Sequence, residues 1–176
     1  MMMLKGLGKW KVLNSKEVRA LADMVKQQWG CGLSGLSESC GFLEGKNGDI
    51  FLISRDIERL DLERLRIDSL GLYFGEQKNS ELRLSIEGSQ LIGKLATRNV
   101  VEIDDSEFKD WIRGNDLEKS PDDCSGNKGT AAPLSTLATG YVIIRHNTDF
   151  IGCGRCKEGK ILNFVPKARR IGKSLA

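Results

Sequence analysis

"GYVIIRHNTDFIGCGRCKEGKILNFV", residues 140–165, decides how this chain folds. Three short apolar runs, "YVIIR", "FIGCGRC" and "ILNFV", alternate with the turn-forming tetrads "HNTD" and "KEGK". Runs rich in Val, Ile, Tyr and Phe, separated by tight turns, are successive strands. Strands this short suggest a small barrel. The same stretch holds a Cys-x-x-Cys pair, Cys153 and Cys156, and the only histidine of the chain, His146. A metal site, a redox site and a surface that grips a polyanion are the competing readings.

The pairing of the cysteines argues against the first two. Residues three apart on a strand point to opposite faces. Two such thiols cannot close on one ion or form an unstrained disulfide. Cys31, Cys40 and Cys124 supply no second pair at metal-ligand spacing. A redox dithiol would sit at a helix N-terminus, whereas a turn follows this one. The cysteines therefore read as packing residues, with no metal and no cofactor expected. His146 reads as a turn residue, or as a contact to an RNA base or phosphate, before it reads as a catalytic base. Gly152 and Gly154 read as sites of a bend or of close backbone approach. The chain contains neither a phosphate-binding loop nor a nucleophile elbow. It is expected not to be an enzyme, and no catalytic residue is assigned.

Upstream of the strands, "NSKEVRALADMVKQQWG" reads as a helix. Asn14 is its cap, Glu17 completes a capping box, Val18, Leu21, Ala22, Val25 and Trp29 share a face, and Gly30 is its stop. "CGLSGLSESCG" reads as a loop and "GDIFLIS" as a strand. "RDIERLDLERLRID" reads as a short helix or two turns. "LGLYFGE" and "ELRLSIE" flank "QKNS" as a hairpin, and "GSQLIGKLAT" follows as a helix. After Arg98 the pattern restarts with a strand, "NVVEI", and a helix, "DDSEFKDWIRG", capped by Asp104 or Asp105 and ended by Gly114. The segment from Glu118 to Gly140 reads as a loop of unusual length for a compact domain, with disorder as its alternative.

The whole chain has 176 residues, 40% hydrophobic and 29% charged, with a net charge of +3. That suffices for one large domain or two small ones. No apolar run approaches the ~18 residues of a membrane span. "MMMLKGLGKWKVLN" lacks the apolar core of a secretion signal. Five cysteines at irregular spacing fit reduced thiols. These features together read as a cytoplasmic protein with no membrane partner.

The small net charge hides a strong asymmetry. Residues 99–125 carry nine acids against three bases, whereas residues 140–176 carry eight Lys/Arg against two acids. Lys167, Arg169, Arg170 and Lys173 fall within seven residues, and Arg145 and Lys157 lie in the strands before them. Clustered cations supply the counterion-release attraction that dominates nucleic-acid binding. The acidic helix reads mainly as a solubilising face.

These residues resemble a known family. "NVVEIDDSEFKDWIRGNDLE", with Arg113, Gly114 and Leu117 in the turn after the helix, followed by "GYVIIRHNTDFIGCGRC", resembles a PUA domain. This is the RNA-binding pseudo-barrel of pseudouridine synthases and archaeosine transglycosylases. "LGLYFGEQKNSELRLSIEGSQLIGKLA", with Gly71, Phe74, Gly75, Arg83 and Leu84, is similar to the pre-PUA domain of two-domain ribosome-biogenesis proteins. Comparable modules accompany Fmu/Sun-type RNA cytosine methyltransferases. The resemblance implies an α+β protein: a pre-PUA domain over 1–97, then a PUA-like pseudo-β-barrel over 98–176 with a long loop at 118–139.

It also implies RNA binding, to rRNA or tRNA, in rRNA processing, ribosome biogenesis or the targeting of RNA modification. The expected RNA contacts are Lys167, Arg169, Arg170 and Lys173, extended by Arg145 and Lys157. One rival reading is a protein adaptor that docks an RNA methyltransferase, a ribosomal protein or a ribosome-assembly factor. Another is an RNA-modifying enzyme without recognisable motifs.

Overall fold

A computed structural model of the protein describes residues 10–56, 70–119 and 140–172. Most of the expected helix over "RDIERLDLERLRID", most of the long loop, and Lys173 lie outside the described residues.

The first sheet is an antiparallel meander of five strands: β1 (Lys11–Val12), β2 (Cys40–Glu44), β3 (Asp49–Ser54), β4 (Leu72–Lys78) and β5 (Glu81–Leu84). Helix α1 (Ser15–Trp29) packs on it. The Asn14 side chain accepts from the amides of Lys16 and Glu17, and the Glu17 carboxylate accepts from the Asn14 amide, which is the expected capping box. Gly30 ends the helix at φ 72°. Leu21, Val25 and Trp29 are buried. Gln28 covers the outer edge of β5: its Nε2 donates to Leu82 O at 3.0 Å and its Oε1 accepts from Leu82 N at 2.8 Å. A side chain thus pairs with an edge that would otherwise be open.

The segment "CGLSGLSESCG" is not a loop. Its middle is helix α2 (Ser34–Ser39), and Cys40 and Gly41 already belong to β2. Buried Leu33 and partly buried Leu36 anchor this turn to the core, so tertiary packing overrides the Gly and Ser content. The expected β4–β5 hairpin is present, with a tighter turn. Gln77 and Lys78 are in the strand, and Asn79 and Ser80 alone turn the chain, both at positive φ.

Helix α3 (Ile86–Gly93) starts two residues earlier than its sequence suggests, because Ser85 caps it by accepting from the Gly88 amide. It lies between the two sheets. A Cβ on Gly88 would sit 2.1 Å from Phe74 O of β4, and a Cβ on Gly93 would sit 2.2 Å from the Phe150 ring of β9 (Asp149–Lys157). Both glycines are needed for this close approach.

The second sheet orders its strands as β6 (Val100–Glu102), β8 (Tyr141–His146), β9, β10 (Lys160–Asn163) and β7 (Leu117–Glu118). The β6–β8 pair is parallel and the others are antiparallel. The expected strands of residues 140–165 are all present, joined by turns with positive φ at Asn147, Glu158 and Gly159. Strand β7 was not expected. It is two residues long and stands where the long loop was thought to begin. Helix α4 (Asp105–Arg113) is capped by Asp104 with Glu107 closing a second capping box, and ends at Gly114 with φ 89°. Its buried Trp111 crosses β9 above Gly152 and Gly154: a Cβ on Gly154 would stand 3.0 Å from the Trp111 ring and 2.3 Å from Ile161. The glycines of "GCG" are there for close approach.

One core cluster joins Leu21, Trp29, Phe42 and Phe74 to Ile143 and Cys153 of the second sheet. A second gathers Trp111, Val142, Ile144, Cys156 and Ile161. Ile143 and Ile144 therefore point to opposite faces of β8, as the strand period requires. The chain is a mixed α/β protein of two sheets that meet across a shared core.

Candidate nucleic-acid interface

The seam between the sheets carries four side chains in an alternating row. Arg83 projects from β5, beside Glu76 of β4, with which it forms an ion pair. Its guanidinium carbon lies 4.9 Å from the ring centroid of Phe164, the residue that follows β10. Phe164 lies 6.1 Å, centroid to centroid, from Tyr141 of β8. Arg155 of β9, directly opposite Tyr141 in the register, sits 5.2 Å from the Tyr141 ring and 3.3 Å from Glu81. All four side chains are half-buried: their stems and rings pack, and their outer faces reach solvent.

Beside this row is a cavity of about 300 Å³. Its walls come from both sheets: Tyr73 and Arg83 on one side, Gly152 and Cys153 at the base, Phe164 and Arg169 on the other. Arg169 forms an ion pair with Glu87 of α3 at 2.6 Å. Burial, with the Asp49 carboxylate adding to it, pushes the Tyr73 hydroxyl up to about 12. That group stays a neutral donor to Asp49 at 3.2 Å.

The residues named from sequence fall in four places. Lys167 and Arg169 share a 3-10 turn (Lys167–Arg169); Arg169 lines the cavity and Lys167 is exposed. Arg170 turns away. Its Nε donates to Val165 O at 2.9 Å and its guanidinium covers Gly114 at the end of α4. Lys157 lies two residues beyond Arg155, hence on the same face of β9, and is exposed. Arg145 is four residues along β8 from Tyr141, roughly 14 Å away at strand spacing. It pairs with Glu102 of β6 at 2.6 Å, and its buried Nε has no hydrogen-bond partner. The structure thus brings Lys167, Arg169 and Lys157 towards the row, and separates Arg145 and Arg170 from it.

The row itself was not read from the sequence. Arg83, Tyr141 and Phe164 are 58 and 23 residues apart in the chain, and no local pattern links them. Their signal is the aromatic residue at each end of the "YVIIR…ILNFV" meander, which register brings together.

Cys153 and Cys156 enter different core clusters, as their spacing requires. Burial pushes the Cys153 thiol up to about 12, so it is no thiolate nucleophile. Among the described residues, no three of His, Cys, Asp and Glu gather as metal ligands. His146 stacks on Phe108 at 4.3 Å and its Nε2 meets Asp105 at 2.8 Å, which pins the tip of β8 to the start of α4. No helix among the described residues is long and apolar enough to cross a membrane.

Residues 98–171 match the family model described as the PUA domain of methyltransferase RsmF. Over those residues, less than half of the chain, it is similar to the PUA domain of an Fmu/Sun-related methyltransferase. The match covers the second sheet, α4 and the 3-10 turn. The two-sheet architecture is consistent with a PUA-like fold.

The chain is similar to ribosomal RNA small subunit methyltransferase F of Aeromonas salmonicida (strain A449), with 25% identity over 127 residues, 72% of this chain and 24% of the relative. It is also similar to the protein of that name in Vibrio cholerae serotype O1 (strain M66-2), with 25% identity over 122 residues, 69% of this chain and 23% of the relative. The chain spans about a quarter of the length of these curated relatives.

Proposed function

We propose that this chain binds structured RNA across the seam between its sheets, and that its PUA pseudo-barrel presents that RNA for modification in rRNA processing. The observation that carries the reading is the row Arg83–Phe164–Tyr141–Arg155. Unpaired RNA bases are held by stacking on aromatic rings and guanidinium planes, and every base has such a face. Cations that flank the row, Lys157, Lys167 and Arg169, would track the phosphates. The PUA match and the small-subunit rRNA methyltransferases to which the chain is similar support RNA as the ligand and rRNA as its class.

In this reading the chain is a cytoplasmic binding module. Chemistry on the RNA belongs to a methyltransferase that it serves, in cis or in trans. The buried, protonated thiol of Cys153 fits a packing role.

The test is RNA affinity against salt, for the wild type and for an Arg83→Ala/Arg155→Ala double variant, with fragments of small-subunit rRNA. The wild type should bind with a steep salt slope. The variant should lose affinity at every salt concentration. Binding that is equal in the two proteins would remove the seam from the interface.

A further inference from the structure

We propose that the cavity beside the row is a reading pocket for one unpaired guanine of the bound RNA, with Glu87 accepting from its Watson–Crick edge. The inference rests on the RNA-binding reading and deepens it.

The cavity, at about 300 Å³, lies at the lower end of the size range of small-ligand sites. Its contents are the parts such a site needs. Phe164 gives an aromatic wall, and the Arg83 guanidinium lies against that same ring. Leu84, Ile86 and Val165 add apolar lining. A base inserted here exchanges water for stacking contacts. Its phosphate would remain at the rim, where Arg169 stands, with exposed Lys167 two residues before it in the chain.

Glu87 makes the pocket selective. It sits in the first turn of α3 and is mostly buried, with 24% of its side chain exposed. Its Oε1 is held by Arg169 at 2.6 Å, which fixes the carboxylate in place. A carboxylate offers about four acceptor positions on two oxygens, so one ion pair leaves capacity for more. Guanine presents two adjacent donors, N1–H and the 2-amino group, to such an acceptor. Adenine and cytosine each set an acceptor beside their amino group, and uracil flanks its N3–H with two carbonyl oxygens. A carboxylate repels each of these. The other polar groups nearby are already engaged: Tyr73 donates to Asp49, and the Ser85 hydroxyl donates to Tyr73 O while accepting from Gly88 N. Glu87 is therefore the acceptor that faces the pocket with spare capacity.

The test uses the full chain and RNA hairpins that differ at one unpaired loop position, carrying guanosine, inosine or adenosine. Affinities are measured by fluorescence anisotropy for the wild type and Glu87→Gln. A charge-assisted hydrogen bond left unmade costs about ten- to a hundredfold. The expected order in the wild type is guanosine over inosine over adenosine, with each step about tenfold. In Glu87→Gln that order should collapse, because the guanosine hairpin loses affinity while the adenosine hairpin, relieved of the carboxylate's repulsion, loses none.

Equal affinity of the wild type for all three hairpins, with a steep salt slope retained, overturns the pocket and leaves RNA binding standing. A guanosine preference that survives Glu87→Gln also overturns it. Failure to bind any hairpin at low salt overturns both the pocket and the RNA-binding reading. The wild-type comparison needs no variant, so the outcome does not depend on how well Glu87→Gln folds.

Discussion

The Arg83 guanidinium carbon stands 4.9 Å from the centre of the Phe164 ring, and this contact joins the two sheets at their seam. Arg83 is fixed from behind by Glu76, so the ring meets an oriented cation. Such a pair is worth about 0.5–1 kcal/mol at an exposed site, and a base stacked on the ring about 1–3 kcal/mol. Phe164→Leu keeps apolar bulk and loses the π face. It should weaken RNA binding about five- to a hundredfold in a filter or anisotropy titration, while Phe164→Tyr stays within a few fold of the wild type.

Lys167 and Arg170 are three residues apart and should behave differently. Lys167 is exposed in the 3-10 turn, whereas Arg170 donates to Val165 O and covers Gly114. Lys167→Ala should lower the salt slope of RNA binding by about 0.7–0.9 and leave the Tm unchanged. Arg170→Ala should lower stability by about 1–3 kcal/mol, through a lost charged hydrogen bond, and leave the slope unchanged. Thermal melts and salt titrations on both variants separate the two roles.

Gly154→Ala tests why "GCG" stands in β9. The added methyl would meet Ile161 Cγ2 at 2.3 Å and Trp111 at 3.0 Å, both of them buried. Overpacking of this kind costs about 1–3 kcal/mol. A chemical denaturation curve should show a lower midpoint with an unchanged m-value, because the loss is in native packing.

The thiols should differ in reactivity. Cys153 is buried and its pKa is raised to about 12 by that burial. A raised thiol pKa favours the protonated, unreactive form at every pH below it. Native protein treated with iodoacetamide at pH 8 should be alkylated at partly exposed Cys40 and spared at Cys153. Peptide mass spectrometry reads both. Rapid labelling of Cys153 would contradict its place in the shared core.

The elements of the fold were legible where one local signal sufficed. Asn14 and Glu17, or Asp104 and Glu107, announce helix starts because a capping box lies within four residues. The strands of residues 140–165 are legible because their turn residues bound them. Helix α2 was not, because Leu33 and Leu36 hold it by contacts that the Gly and Ser residues around them conceal. Strand β7 was not, because two residues carry no period.

The basic end was legible as charge, and its geometry was not. Nothing in "PKARRIGK" says that Arg169 turns to Glu87 while Arg170 turns to Val165. The aromatic row depends on the register of β8 with β9 and on where the chain goes after β10, and both are long-range properties.

The most direct measurement is photo-crosslinking of 4-thiouridine-substituted small-subunit rRNA to the full chain, with the crosslinked residues identified by mass spectrometry. The account predicts crosslinks at Phe164 and Tyr141, the two aromatic rings of the seam. Crosslinks that cluster instead around Arg145 and Glu102, or on α1 at Lys16 and Arg19, would contradict it.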